Sequence, residues 1–160
     1  MNKKMLSKAL LCAAAVLFAG VGLSYAAMGD AFMGTWQLNE AKSKLPAGAT
    51  KNSTVAYTMS GDSITCTIDG TDGSGQALHS VWTGKFDGKD YAVTGDPISD
   101  MRSYKLVNSH TLWASDKMGG KIILTARIVI SADGKSRTVT VHGTDAKGMK
   151  TTTIGVYDKQ

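Results

Sequence analysis

An all-β fold is expected, an antiparallel up-and-down meander of about 8–10 strands closing into a barrel. Three observations predict it. From Gly34 onward apolar and polar residues alternate with period two, the spacing of a strand with one buried face. Short turns rich in glycine and aspartate break that alternation at hairpin intervals. Helical periodicity is confined to a turn or two, with 28–33 and Glu40–Lys44 the best candidates.

The amino-terminal stretch stands apart from this pattern. Met1 to Lys8 carries three lysines and no acid, an apolar run follows from Ala9 to Leu23, and Ser24-Tyr25-Ala26 sets small residues at −3 and −1 of a cut before Ala27. These are the parts of a secretory signal peptide. The alternative is a membrane anchor, but the 15 residues from Ala9 to Leu23 fall short of the roughly 20 that a span requires. Cys12 follows Leu11, where a lipoprotein cut would want a small residue. The expected organisation is a signal peptide, 1–26, and one barrel domain, 27–160. The expected location is outside the cytoplasm, periplasmic or secreted, with no stable membrane insertion after cleavage.

Loss of the leader leaves 134 residues, 15 basic against 13 acidic, and a net charge of +2 in place of +5. So small a surplus argues against a nucleic-acid partner. Of the two cysteines only Cys66 remains, so no intrachain disulfide can form and stability must come from the core. A monomer is expected.

Strands are predicted near 34–39, 53–60, 63–69, 76–84, 89–94, 101–107, 110–116, 121–131, 136–143 and 151–158. Turns such as Ser60-Gly61-Asp62, Asp87-Gly88, Met118-Gly119-Gly120 and Asp133-Gly134 separate them. Pro46 and Pro97 fall in loops, where a missing N–H is harmless. So many hairpin-linked strands need a sandwich or a barrel, and closing the meander removes its edges.

Residues 61–76 align on 134–149 at an offset of 73, with eight of sixteen positions identical. Two hairpins solving one turn problem alike would produce this, and so would duplication of half a barrel. Either way Thr65, Thr67, Thr138 and Thr140 share one face, expected to meet water. Ile64, Cys66, Ile68, Val139 and Val141 take the other, expected to face inward.

Asp30-Ala31-Phe32-Met33-Gly34-Thr35-Trp36-Gln37-Leu38 resembles the amino-terminal signature of the calycins. Gly34-Thr35-Trp36 is similar to the lipocalin G-x-W, and the longer form to the opening of the fatty-acid-binding proteins. Gly155-Val156-Tyr157-Asp158-Lys159 resembles the last strand of the latter, and the whole chain resembles small exported bacterial lipocalin-like proteins. The resemblance implies a calycin-type barrel with a short helix and Trp36 closing one end, where a large aromatic fills the base. Two departures stand out. Glu40–Asn52 is too short for the fatty-acid-binding proteins' helical lid, and their carboxylate-holding arginine, two residues before the final-strand tyrosine, is here Gly155. That family also turns the register of Gly155 and Tyr157 inward, whereas hydrophobicity in this chain favours Ile154 and Val156 inward, and the local pattern is followed.

No catalytic constellation is visible, so an enzyme is not expected. His79, His110 and His142 lie on separate elements without metal-ligand spacing, and no metal or cofactor is expected. No Gly-x-Ser-x-Gly elbow raises a nucleophile. Cys66, between Ile64 and Ile68, is expected to be a small buried hydrophobe. Arg127 points outward if Leu124 and Ile128 point inward, and becomes an internal anion-binding group if a bulge reverses the register. Arg102 and Lys105 take opposite faces, so one could line a cavity mouth. Tyr57, Trp82, Tyr104 and Trp113, with Met59 and Met101, supply apolar walls of the kind a pocket uses. The expected function is a non-catalytic carrier or sensor of a mainly apolar, hydrophobic small molecule. Its candidate lining is Tyr57, Met59, Cys66, Trp82 and Tyr104. The alternative is a protein-binding module such as an exported hydrolase inhibitor.

Overall fold

A computed structural model describes residues 29–145 and 147–160 of the chain; the expected leader, 1–26, lies outside them. Ten strands follow one another: β1 (Gly34–Leu38), β2 (Lys51–Ser60), β3 (Ser63–Thr71), β4 (Ala77–Gly84), β5 (Tyr91–Thr94), β6 (Met101–Asn108), β7 (Thr111–Met118), β8 (Lys121–Ile130), β9 (Ser136–Thr144) and β10 (Lys150–Lys159). Each pairs antiparallel with its neighbours in the chain, and β1 pairs with β10, so the meander closes into a barrel. The expected fold class is the observed one. The two helix candidates are single 3-10 turns, Asp30–Phe32 and Glu40–Lys42, and among the described residues no helix is long and apolar enough to cross a membrane.

The turns follow the predicted chemistry. Asp72 Oδ1 accepts from the N–H of Ser74 and of Gln76, and Asp145 Oδ1 accepts from that of Lys147 and of Met149, all at 2.9 Å. These residues are equivalent in the internal alignment. One turn solution is therefore used twice, with Gly75 and Gly148 supplying the positive φ of 85° and 80° that it needs.

One end of the barrel is shut. Phe32 and Trp36 are fully buried there, the Trp36 indole Nε1–H donates to Phe32 O at 2.9 Å, and Phe86 enters from the β4–β5 connection. The phenyl rings of Phe32 and Phe86 meet edge to face at 6.0 Å. Such packing supplies most of the stabilisation available to a chain whose one described cysteine is a buried, free thiol. The opposite end carries the β3–β4, β5–β6, β7–β8 and β9–β10 turns.

The internal alignment orients the side chains as expected. Ile64, Cys66 and Ile68 are buried, and Val139 and Val141 pack against the same core. On β10 the expectation fails. Gly155 and Tyr157 face inward and are buried, whereas Ile154 and Val156 face out. The reason lies in the neighbouring segment. Lys44 pairs with Ile154, and Asn39 N–H donates to Val156 O at 2.8 Å, so an extra length of chain lies along the β10 edge and leaves both β-branched residues half-buried. Inside, Gly155 makes room for the Tyr157 ring, since a Cβ there would stand 2.9 Å from Tyr157 Cε2.

Trp113 and Met101 also depart from expectation. Their partners in alternation, Leu112 and Ala114 on β7 and Arg102 and Tyr104 on β6, are buried, so Trp113 and Met101 occupy outward positions. Arg127 is exposed between buried Ala126 and Ile128, which is the outward alternative.

Candidate functional site

The inward residues fall into two tiers. Toward the shut end, Tyr57, Trp82, Phe86 and Tyr104 form one ring cluster with centroid separations of 4.8 Å for Trp82–Tyr104, 5.7 Å for Phe86–Tyr104 and 6.0 Å for Tyr57–Tyr104. Cys66 lies among them, its Sγ 3.7 Å from the Tyr104 hydroxyl. Four of the five expected lining residues, Tyr57, Cys66, Trp82 and Tyr104, are thus brought together. Met59 is not with them: it sits at the β2–β3 hairpin, 44% exposed.

Toward the other end the inward positions change character. Leu38, Leu124, Val139, Val141 and Thr153 point in yet remain only half-buried. Ala114, Ala126 and Gly155 hold inward positions here, and the Tyr157 ring takes the room that Gly155 leaves. The wall itself parts here. The last β8–β9 pair is Leu124 with Gly143; beyond it Lys121 and Ile122 pair only with β7, and Thr144 only with β10. An open groove of about 420 Å³ lies in this fork, lined by Ile122–Thr125, His142–Thr144 and Lys150–Thr152.

Two arginines lie inside the barrel: Arg102, one of the two charges expected to be able to line a cavity mouth, and Arg137, for which the sequence raised no expectation. Arg102, on β6, makes a bidentate pair with Asp116 on β7, Nε to Oδ1 and Nη2 to Oδ2 both at 2.7 Å. Its Nη2 also donates to Asp96 Oδ2 at 2.9 Å, and Ser99 Oγ donates to the same oxygen. Burial opposes the charge on Arg102, but Tyr104 and Asp116 more than offset it and hold its pKa well above the usual range. This arginine is fully charged and compensated.

Arg137 is neither. It sits on β9 opposite Tyr157 and is 2% exposed, with three aromatic rings around its guanidinium carbon: Tyr157 at 4.7 Å, Trp36 at 5.1 Å and Tyr57 at 5.4 Å. Its Nε and Nη1 find no acceptor among the described residues. Each desolvated cation–π contact is worth about 2 kcal/mol, and three sharing one guanidinium do not add fully. They return part of the several kcal/mol that an uncompensated buried charge costs. Lys159 Nζ stands 5.0 Å over Trp36 too and donates to Ala31 O, so the indole lies between two cations. A planar guanidinium with free N–H groups can pair with an anion, carboxylate above all.

The phenols and the thiol stay neutral. Burial pushes Tyr57 from 10.0 up to about 12, helped by Cys66 and opposed by Arg137. Burial likewise raises Cys66, Tyr104 and Tyr157. An unfolded chain would ionise its thiol from about pH 8.5 and its phenols from about pH 10. The folded chain resists, so the stability these groups contribute is whole below those values and lost as pH rises toward their folded values. For Tyr57 alone the loss between pH 10 and about 12 amounts to about 3 kcal/mol. Urea midpoints are expected to be flat up to about pH 8.5 and to fall steeply above it, with tyrosinate absorbance rising only as the chain unfolds. A midpoint unchanged from pH 8 to 11 would contradict this account of the core.

Outside the barrel the histidines make only local contacts: His79 Nδ1 with Asp69 at 2.6 Å, His142 Nδ1 with Thr152 at 3.0 Å, and His110 Nδ1 with Ser109 at 2.9 Å. Among the described residues no three His, Cys, Asp or Glu side chains converge as a metal site requires. No protein-family model matches the chain, and no curated protein matches it.

Proposed function

We propose that this is an exported, non-catalytic carrier or sensor of the calycin kind, taking a small molecule with an apolar body and an acidic end. The observation that carries the reading is Arg137: a guanidinium in an aromatic cage, with two unpartnered N–H nitrogens, below inward-facing side chains that still touch water. The mainly apolar ligand expected from the calycin signature and the apolar inner face takes no account of that charge. In this reading the ligand enters at the end where β8 and β9 part, its body lies against Val139, Val141 and Ala126, and its acid meets Arg137. Export rests on the signal pattern of residues 1–26.

The test is a competition assay with a fluorescent amphiphile, comparing carboxylic acids with their methyl esters and alcohols. A charge-assisted hydrogen bond to a buried group is worth about 1.5–3 kcal/mol, so acids are expected to bind some 10- to 100-fold more tightly than esters. Equal affinity for acid and ester would remove Arg137 from the site. No binding by any member of the panel would remove the carrier reading altogether.

A further inference from the structure

Trp113 is the one tryptophan in water, 45% exposed where Trp36 and Trp82 are fully buried. Its neighbours in register are both cations, Lys105 across the β6–β7 ladder and Arg127 across the β7–β8 ladder. Both are exposed, and neither enters an ion pair among the described residues. Among the described residues no cation covers the indole face. The sole acid in β6, β7, β8 and β9 is Asp116, which is turned inward to Arg102. These strands thus put no carboxylate on their outer face; the acid beside Lys105 is Asp87, which bridges to it from the β4–β5 connection and accepts from the Tyr91 hydroxyl at 3.0 Å. Around the row stand Ser103 and Ser115, hydrogen-bonded at 2.8 Å, and Thr140, in register with Arg127, together with Val107, 48% exposed two residues beyond Lys105.

We infer that this outer face is a docking surface for an acidic polysaccharide, with a sugar ring on the Trp113 indole and uronate carboxylates on Lys105 and Arg127. Adjacent strands lie about 4.8 Å apart, so the two cations are separated by roughly 10 Å across two inter-strand steps, a span comparable with a disaccharide. Arg127 offers the planar fork that pairs with a carboxylate, and Lys105 a point charge. With one exposed valine among hydroxyls, the surroundings suit a hydrated, hydroxyl-bearing partner better than a protein or membrane, which would use a contiguous apolar patch. Single-stranded nucleic acid is bound by stacking successive bases on several aromatics, whereas this face has one.

The full chain, freed of its leader, is titrated with polygalacturonate, with neutral dextran and with a single-stranded oligonucleotide while acrylamide quenching of tryptophan fluorescence is followed. Quenchable emission belongs to Trp113, because the other two indoles are buried. Polygalacturonate is expected to lower the quenching slope about twofold as the ring is covered, and dextran to leave it unchanged. The K105Q/R127Q variant, which keeps the indole, is expected to bind about tenfold more weakly, the sum of two exposed charge contacts. Trp113→Ala, substituted at an outward position, is expected to weaken retention on immobilised polygalacturonate while keeping native circular dichroism. Four results would overturn the inference: no protection by polygalacturonate, equal protection by dextran, stronger protection by the oligonucleotide, or full affinity in K105Q/R127Q.

Discussion

Asp116→Ala is expected to lower the stability of the protein by about 3–5 kcal/mol, because it breaks a buried ion pair from one side only. The carboxylate receives both ends of the Arg102 fork at 2.7 Å. Without it Nε joins Nη1, which already lacks an acceptor among the described residues. Asp96 stays behind with a single 2.9 Å bond and is shared with Ser99, so it cannot replace the lost contacts. The guanidinium stays charged, since it cannot be neutralised at any accessible pH. Asp96→Asn is expected to cost less, about 1–2 kcal/mol, as it removes one charge and preserves an acceptor. A double replacement by apolar residues of similar volume, R102M/D116L, is expected to recover most of the single variant's loss, because both desolvation costs vanish together. Urea denaturation at neutral pH with unchanged slope is the measurement. If Asp116→Ala lies within about 1 kcal/mol of the parent, the pair is better hydrated than its burial indicates.

That pair was within reach of the sequence. Once the β6–β7 turn is placed at Asn108–His110, hairpin arithmetic sets Leu106 against Leu112, Tyr104 against Ala114 and Arg102 against Asp116, as observed. What obscured it is the habit of assigning charged residues to the outside. Arg137 was hidden in the same way, although the internal alignment pairs it with Ile64, an inward position. Alternation along the strand decides the face; residue character only votes. The reverse error concerns Trp113, whose size suggested an inner wall while its neighbours Leu112 and Ala114 had already taken the inward positions. The ring cluster of Tyr57, Cys66, Trp82 and Tyr104 was legible because character and alternation agree there. The β10 register was not, because Ile154 and Val156 are sheltered by Lys44 and Asn39, a contact spanning more than a hundred residues that no local pattern encodes. The parting of β8 from β9 is a tertiary feature of the same kind, set by where the two hairpins diverge.

Arg137→Met is expected to have the opposite signature from Asp116→Ala. Removing a buried charge that has no carboxylate partner among the described residues relieves a desolvation cost that the aromatic rings only partly offset. Methionine is of similar length, and its sulfur makes favourable contacts with ring edges, worth about 0.3–1.5 kcal/mol. The variant is therefore expected to keep its stability or gain up to about 2 kcal/mol. Over the same step the preference for acids over esters should fall about 10- to 100-fold, to parity. Arg137→Lys, which keeps a charge but loses the planar fork, is expected to fall between. Such a trade of function against stability is what separates a site held ready for a ligand from a structural stack. Trp36, Tyr57 and Tyr157 surround the guanidinium in either case, so the rings alone do not distinguish the two. If Arg137→Met loses several kcal/mol and leaves acid binding intact, the arginine is there to close the barrel, and the ligand's acid must be met elsewhere.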